Sequence, residues 1–172
     1  RLVAVAVVCT VSDANGCSAS QSFNVGQPGL FAISGTTSDF NGFGVSCPTA
    51  TDGSIAQTVT GGTTPYDHAW TGPGGFTAAT EDINALVAGN YTYVVTDANG
   101  CSTSASYTLS APATLSAALS APVVNGGWNV GCNGANTGSI DATLNGGVAP
   151  ISTAWTGPSG FVSASEDIAS LI

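Results

Sequence analysis

The heptapeptide WTGPGGF at residues 70–76 returns as WTGPSGF at residues 155–161, and the return extends well beyond seven positions. Residues 47–87 lie on residues 132–172 without a gap, and 21 of the 41 positions are identical. A chain built this way holds copies of one structural unit at a period of about 85 residues, too long for a solenoid turn and the size of a small domain. The pentapeptide DANGC at 13–17 recurs at 97–101, and residues 17–28 follow 101–112 at that same offset. Projected backwards, Leu2, Val3 and Ala4 fall on Leu86, Val87 and Ala88. The expected organisation is a repeat tail at 1–28, a complete repeat at about 29–112 and a repeat without its last strands at 113–172.

Within the complete repeat the apolar period is two, not 3.6. Strands are expected at 30–34, 43–47, 54–60, 66–70, 76–79 and 91–96, with a last one in which Thr103, Ala105, Tyr107 and Leu109 share a face. Residues 81–86 hold the one candidate for a helical turn. Asn99-Gly100 marks a hairpin, because both residues tolerate positive φ. Seven or eight short strands with frequent turns describe an all-β, two-sheet, immunoglobulin-like sandwich repeated in tandem. Trp70 and Trp155 fall where such folds keep a core Trp, and Gly89-Asn90-Tyr91 resembles the corner that carries a core Tyr. In the tail at 1–28, Val5 and Val7 stand at the positions of Gly89 and Tyr91.

Charge narrows the function classes. The chain has a single Arg, no Lys, and ten acidic residues, for a formal charge of −9. Without cations the phosphate contacts of a nucleic-acid binder cannot be made, nor can a polybasic membrane-surface patch. No run approaches the roughly 18–20 apolar residues of a spanning helix, so membrane insertion is not expected. Residues 1–8 lack a charged leader and a small-residue cleavage site and read as a strand interior, which places the natural N-terminus upstream.

An ordered set of motifs resembles the SprB-type repeat. It comprises CxGAxxGSI at 132–140, GGxxP at 61–65, WTGPxGF at 70–76, EDI at 81–83, AGxY at 88–91 and TDANGC at 96–101, and it spans nearly the whole chain. The resemblance implies polycystic-kidney-disease-like (PKD-like), immunoglobulin-like modules of long cell-surface adhesins. In gliding Bacteroidota and their relatives these are exported by the type IX secretion system. It therefore implies an extracellular adhesin or filament stalk, with neighbouring repeats or further copies as partners.

Four of the five cysteines fall on two repeated positions, Cys47 with Cys132 and Cys17 with Cys101. One of each per repeat argues for one disulfide per repeat in an oxidising compartment. The favoured pairing is Cys47 with Cys101 inside the complete repeat; a bridge between neighbouring repeats is the rival. Cys9 occupies a strand position and reads as a buried free thiol.

No residue set supplies catalysis or calls for a cofactor. His68 is the only histidine and shares a strand face with Trp70, which makes it structural. Glu81-Asp82 recurs as Glu166-Asp167; adjacent strand residues point apart, so the pair serves a turn or cap rather than a catalytic dyad. Asp97-Ala98-Asn99-Gly100 resembles the start of a calcium loop but lacks its later ligands, and a hairpin turn explains it. The aromatic tips Phe76, Phe161, Phe43 and Trp128 follow turns. They either plug the ends of the sandwich or offer contacts to apolar or polysaccharide surfaces. Asn90-Tyr91-Thr92 matches a glycosylation acceptor. The expectation is a non-enzymatic structural repeat. Its rivals are a strand-complemented head-to-tail polymer and a carbohydrate- or calcium-binding accessory module.

Overall fold

The computed structural model describes residues 5–172, so Leu2, Val3 and Ala4 of the projected repeat lie outside the described residues. Among the described residues fourteen strands follow one another: β1 (Val5–Ser12), β2 (Ser18–Val25), β3 (Ala32–Thr37), β4 (Gly53–Thr60), β5 (Asp67–Thr71), β6 (Thr77–Ala78), β7 (Ile83–Leu86), β8 (Gly89–Thr96), β9 (Ser102–Leu109), β10 (Ser116–Ser120), β11 (Gly138–Asn145), β12 (Trp155–Thr156), β13 (Val162–Ser163) and β14 (Ile168–Leu171). The described residues hold no α-helix, only three short 3-10 turns.

Strands β3 to β9 form two sheets, β3-β4-β7 and β6-β5-β8-β9, the strand order of an immunoglobulin-like sandwich. The alternation along β9 is the one expected, with Thr103, Ala105 and Tyr107 half-buried and Leu109 buried between exposed neighbours. The Tyr107 hydroxyl donates to Gln57 Oε1 at 3.1 Å, which ties β9 to β4 of the other sheet. The second copy repeats the pattern in part, as the sheet β10-β11-β14 and the β12-β13 hairpin.

Two expected elements differ. Residues 81–86 form strand β7 from Ile83 onward instead of a helical turn. Ile83 and Leu86 are both buried although three positions apart, a spacing that mimics a helix in the sequence. A left-handed residue between them, Ala85 at φ 56°, reverses the side-chain alternation as a bulge does. The second copy does the same with Ser170 at φ 58°. Residues 43–47 are not a strand either. Phe43 bridges Phe40 around Asn41-Gly42, and the N–H groups of Gly44 and Val45 both go to the Ser110 carbonyl.

By packing, the chain divides into two compact units: one of the chain up to Thr36 with Ile55–Ile83 and Tyr91–Tyr107, the other of Thr37–Ser54, Asn84–Asn90 and Thr108–Ile172. In the first, Trp70, Tyr93, Tyr91, Ile55 and Val95 are buried. Trp70 lies between Tyr93, with ring centroids 4.5 Å apart, and Tyr107 at 6.2 Å. Such large aromatic area is the main apolar contribution to so small a core. In the second unit Val45, Leu86 and Leu109 are buried, together with Ala142 and Ile168 of the second copy.

The β1–β2 hairpin pairs Val5 with Val25 through Ser12 with Ser18. Its described side chains are exposed, Cys9 among them, which corrects the expectation of a buried thiol. Both faces of the hairpin are exposed among the described residues, whereas Tyr93, at the position matching Cys9, is buried in the complete repeat.

A repeated framework as the candidate functional site

The residues that recur most faithfully do the same structural work in both copies. The Trp70 indole N–H donates to the Thr80 carbonyl at 3.0 Å, and the Trp155 indole N–H to the Ser165 carbonyl at 2.8 Å, each ten residues onward. Inside that span the Gly-Pro turn is closed twice over. Gly72 N–H reaches Phe76 O at 3.0 Å and Phe76 N–H reaches Pro73 O at 3.1 Å; Gly157, Phe161 and Pro158 repeat these bonds at 3.0 and 3.1 Å. The turn requires a left-handed residue, supplied by Gly74 at φ 65° and by Ser159 at φ 55°. At Gly72 a Cβ would stand 2.5 Å from the Tyr91 ring, so the turn can close over that ring only as glycine.

The EDI motif acts next. Asp82 Oδ1 accepts the Gln57 backbone N–H at 2.7 Å, and Asp167 Oδ1 accepts that of Ala142 at 2.9 Å. The carboxylate thus satisfies a β-strand amide one residue ahead of β7 and of β14, which begin at Ile83 and Ile168. The recurrence of Glu-Asp signalled a role; its partner, 25 residues away, was not legible.

Asp97 staples the β8–β9 turn. Its Oδ1 accepts the N–H groups of Asn99 and Cys101 at 2.9 Å each, and its Oδ2 that of Thr63 at 3.0 Å. Asp13 holds the β1–β2 turn likewise, accepting from Asn15 and Cys17. Of the two hairpin residues only Gly100 takes positive φ, at 81°. These carboxylates are occupied with backbone amides, which is the hairpin role expected of DANGC.

His68 Nδ1 and the Tyr93 hydroxyl share a hydrogen bond, and their rings stack with centroids 5.9 Å apart. Burial, with the Glu81 and Asp82 carboxylates adding to it, pushes the Tyr93 phenol up to about 12. Both groups belong to the aromatic column of the core. Of the aromatic tips, Phe76 is half-buried with its edge toward Tyr91 at 5.5 Å. Phe43 and Phe161 are also half-buried, whereas Trp128 is 71% exposed. Trp155 is half-buried, in contrast to Trp70.

The cysteines require a correction. All five are unbridged and exposed, so the favoured pairing of Cys47 with Cys101 is not formed. Strand β9 explains why. It begins one residue after Cys101 and ends one residue before Ser110, whose carbonyl takes the Gly44 and Val45 amides. Nine extended steps cover about 30 Å, and Cys47 lies only two residues from Val45. A disulfide needs Cα atoms within about 7 Å. A cysteine's order along the chain says nothing of which end of a strand it occupies.

These arrangements define an all-β, immunoglobulin-like repeat protein whose recurrent residues serve the fold of each copy. The SprB repeat family matches the chain in two places, at residues 45–75 and again at residues 129–160. Both matches hold the loop of the first cysteine and the Trp-Gly-Pro turn. SprB repeats occur in surface-exposed proteins. No curated protein and no solved structure matched the chain. No helix among the described residues is long and apolar enough to cross a membrane.

Proposed function

We propose that the chain is a stretch of a tandem SprB array forming the stalk or filament of a secreted bacterial surface adhesin, with residues 29–112 as one complete repeat. The observation that carries this reading is the duplicated framework. The indole clip, the Gly-Pro turn, the aspartate lock and the left-handed bulge are spent on reproducing one sandwich. The function of such a chain is mechanical: rigid sandwiches joined at Gln27-Pro28 and Ala111-Pro112, where proline restricts the backbone. Neighbouring repeats are its partners, and surface polysaccharide is the contact for which exposed aromatics such as Trp128 are suited. The test is protease shaving of intact cells followed by sizing of the parent chain under reducing, denaturing conditions. Release of fragments from a very long chain supports the proposal; a chain resistant to shaving and recovered only inside cells ends it.

One observation favours a second reading. The β1–β2 hairpin exposes Val7, Val11, Phe23 and Val25, and open apolar slots lined by Leu115, Ala142, Leu144 and Ile151, and by Ile140, Phe161 and Ile168, flank Trp155. Strand addition from another copy would fill them and build a head-to-tail polymer. Subunits near 17 kDa in the same sizing experiment would favour it.

A further inference from the structure

The two cysteine positions sit in turns held the same way in each copy. The Cys47 carbonyl accepts the Ala50 N–H at 3.0 Å, and the Cys132 carbonyl accepts that of Ala135 at 3.0 Å. The residue before each cysteine is pinned as well, Ser46 N–H on Asp52 Oδ1 at 3.1 Å and Gly131 N–H on Thr137 Oγ1 at 2.8 Å. At the other position the Asp13 and Asp97 side chains accept the N–H groups of Cys17 and Cys101 at 2.8 and 2.9 Å. All four thiols are exposed. Each is therefore presented from a fixed backbone, without the shielding that protects a structural core cysteine.

Their placement follows the path of the chain. The segment arriving at β3 passes Gly29, whose carbonyl takes the Gly62 N–H, and the next residue, Thr63, is bonded to Asp97 and Asn99 of the Cys101 turn. The Cys101 turn thus marks the end where the chain comes in. The departing segment begins at Ser110, bonded to Gly44 and Val45 just before Cys47. The Cys47 turn marks the end where the chain goes out. Only Ala111 and Pro112 separate Ser110 from Ala113, whose carbonyl takes the Gly147 N–H at the arriving end of the second copy. Three residue steps span at most about 11 Å.

We propose that the two cysteine positions form a disulfide across each joint, the Cys47 position of one repeat bridging the Cys101 position of the repeat that follows it. This rests on the tandem-array reading above. Under this rule no two of Cys17, Cys47, Cys101 and Cys132 are partners of each other: Cys101 pairs with the repeat before its own, and Cys47 with the repeat after. In each bridge two thiols lose two protons and two electrons to the disulfide of a thiol–disulfide exchange catalyst, which leaves as a dithiol. The product is a joint crossed twice, once by the Ala-Pro backbone and once by the sulfurs.

The test is disulfide mapping of the full-length secreted protein, with free thiols alkylated first and proteolysis carried out at low pH without reductant. The expected product joins the Cys101 peptide to the Cys47-position peptide of the preceding repeat, the two being distinguishable because neighbouring copies differ in sequence. A Cys47–Cys101 peptide from within one repeat would overturn the proposal, as would alkylation of both thiols. Substitution C101S in the full chain should expose one new thiol in the preceding repeat and leave Cys47 blocked; release of Cys47 instead would also overturn it. A long, surface-exposed chain with every thiol alkylated would end this inference alone, whereas a chain without neighbouring repeats would end the array reading with it.

Discussion

The Trp-Gly-Pro hairpin occurs twice, beside strand β8 in the first copy and without a counterpart of β8 among residues 113–172 in the second. Trp70 and Trp155 make the same indole bond ten residues onward, and the turns between close through the same pair of backbone bonds. Yet Trp70 is 1% exposed, stacked on Tyr93, while Trp155 is half-buried beside open slots. Strand β8 makes the difference, pairing with β5 and bringing Tyr93 opposite Trp70. The hairpin's shape is therefore a local property, and its burial is supplied by strands that come later.

The largest effect should expose this contrast. Trp70→Ala removes a fully buried ring and is expected to cost about 3–5 kcal/mol. Trp155→Ala, tested on residues 1–172 alone, loses a half-buried ring and one hydrogen bond and should cost about 1–2 kcal/mol. Urea unfolding followed by circular dichroism measures both; equal losses would break the comparison.

Alkali comes second. The fold favours the neutral Tyr93 phenol, whose value is raised from 10.0 to about 12. Its stabilisation is intact below pH 10 and lost as the pH climbs towards 12, roughly 2–3 kcal/mol in all. Tyrosinate absorbance should show one late-titrating phenol whose ionisation coincides with loss of the aromatic near-ultraviolet signal, and Tyr93→Phe should abolish that coincidence.

A smaller effect sharpens what is shared. Ala85 and Ser170 both adopt left-handed backbone, which costs a non-glycine residue about 1 kcal/mol. Substituting glycine at either should stabilise by roughly 0.5 kcal/mol after its entropic penalty. Equal gains in the two copies, read from the shift in denaturation midpoint, would show that the bulge is indifferent to strand β8.

The least effect is local. Hydrogen bonds from the Ser46 side chain and backbone hold the Asp52 carboxyl below its ordinary value of 3.8. Their contribution is present above that value and fades as the pH falls through the lowered one. Thr137 takes the same place in the second copy and does not titrate. Amide exchange at Ser46 should lose protection in acid relative to Gly131, and Asp52→Asn should remove the difference.

The strands were legible because half-buried sheets write a period of two, as Thr103 to Leu109 do. The repeat added what a single copy could not, since the return of Trp, Gly-Pro and Glu-Asp marked a framework before any partner was known. Failures came where one residue changes the rule. Ala85 reverses the alternation, so Ile83 and Leu86 passed for helical spacing. Gly44 and Val45 share one carbonyl instead of entering a ladder, so residues 43–47 are not a strand although Phe43, Val45 and Cys47 alternate. The Cys47–Cys101 pairing failed because a sequence carries spacing and not direction. The lock between Asp82 and Gln57 was invisible for the same reason, being a meeting of residues that only the sheet brings together.

An indole that fastens onto its own hairpin has an evolutionary corollary. Each copy brings its own fastener, so a gene segment duplicated or lost by recombination leaves the neighbouring copies correctly instructed. In a tandem array of such copies, length can change without redesigning a single bend.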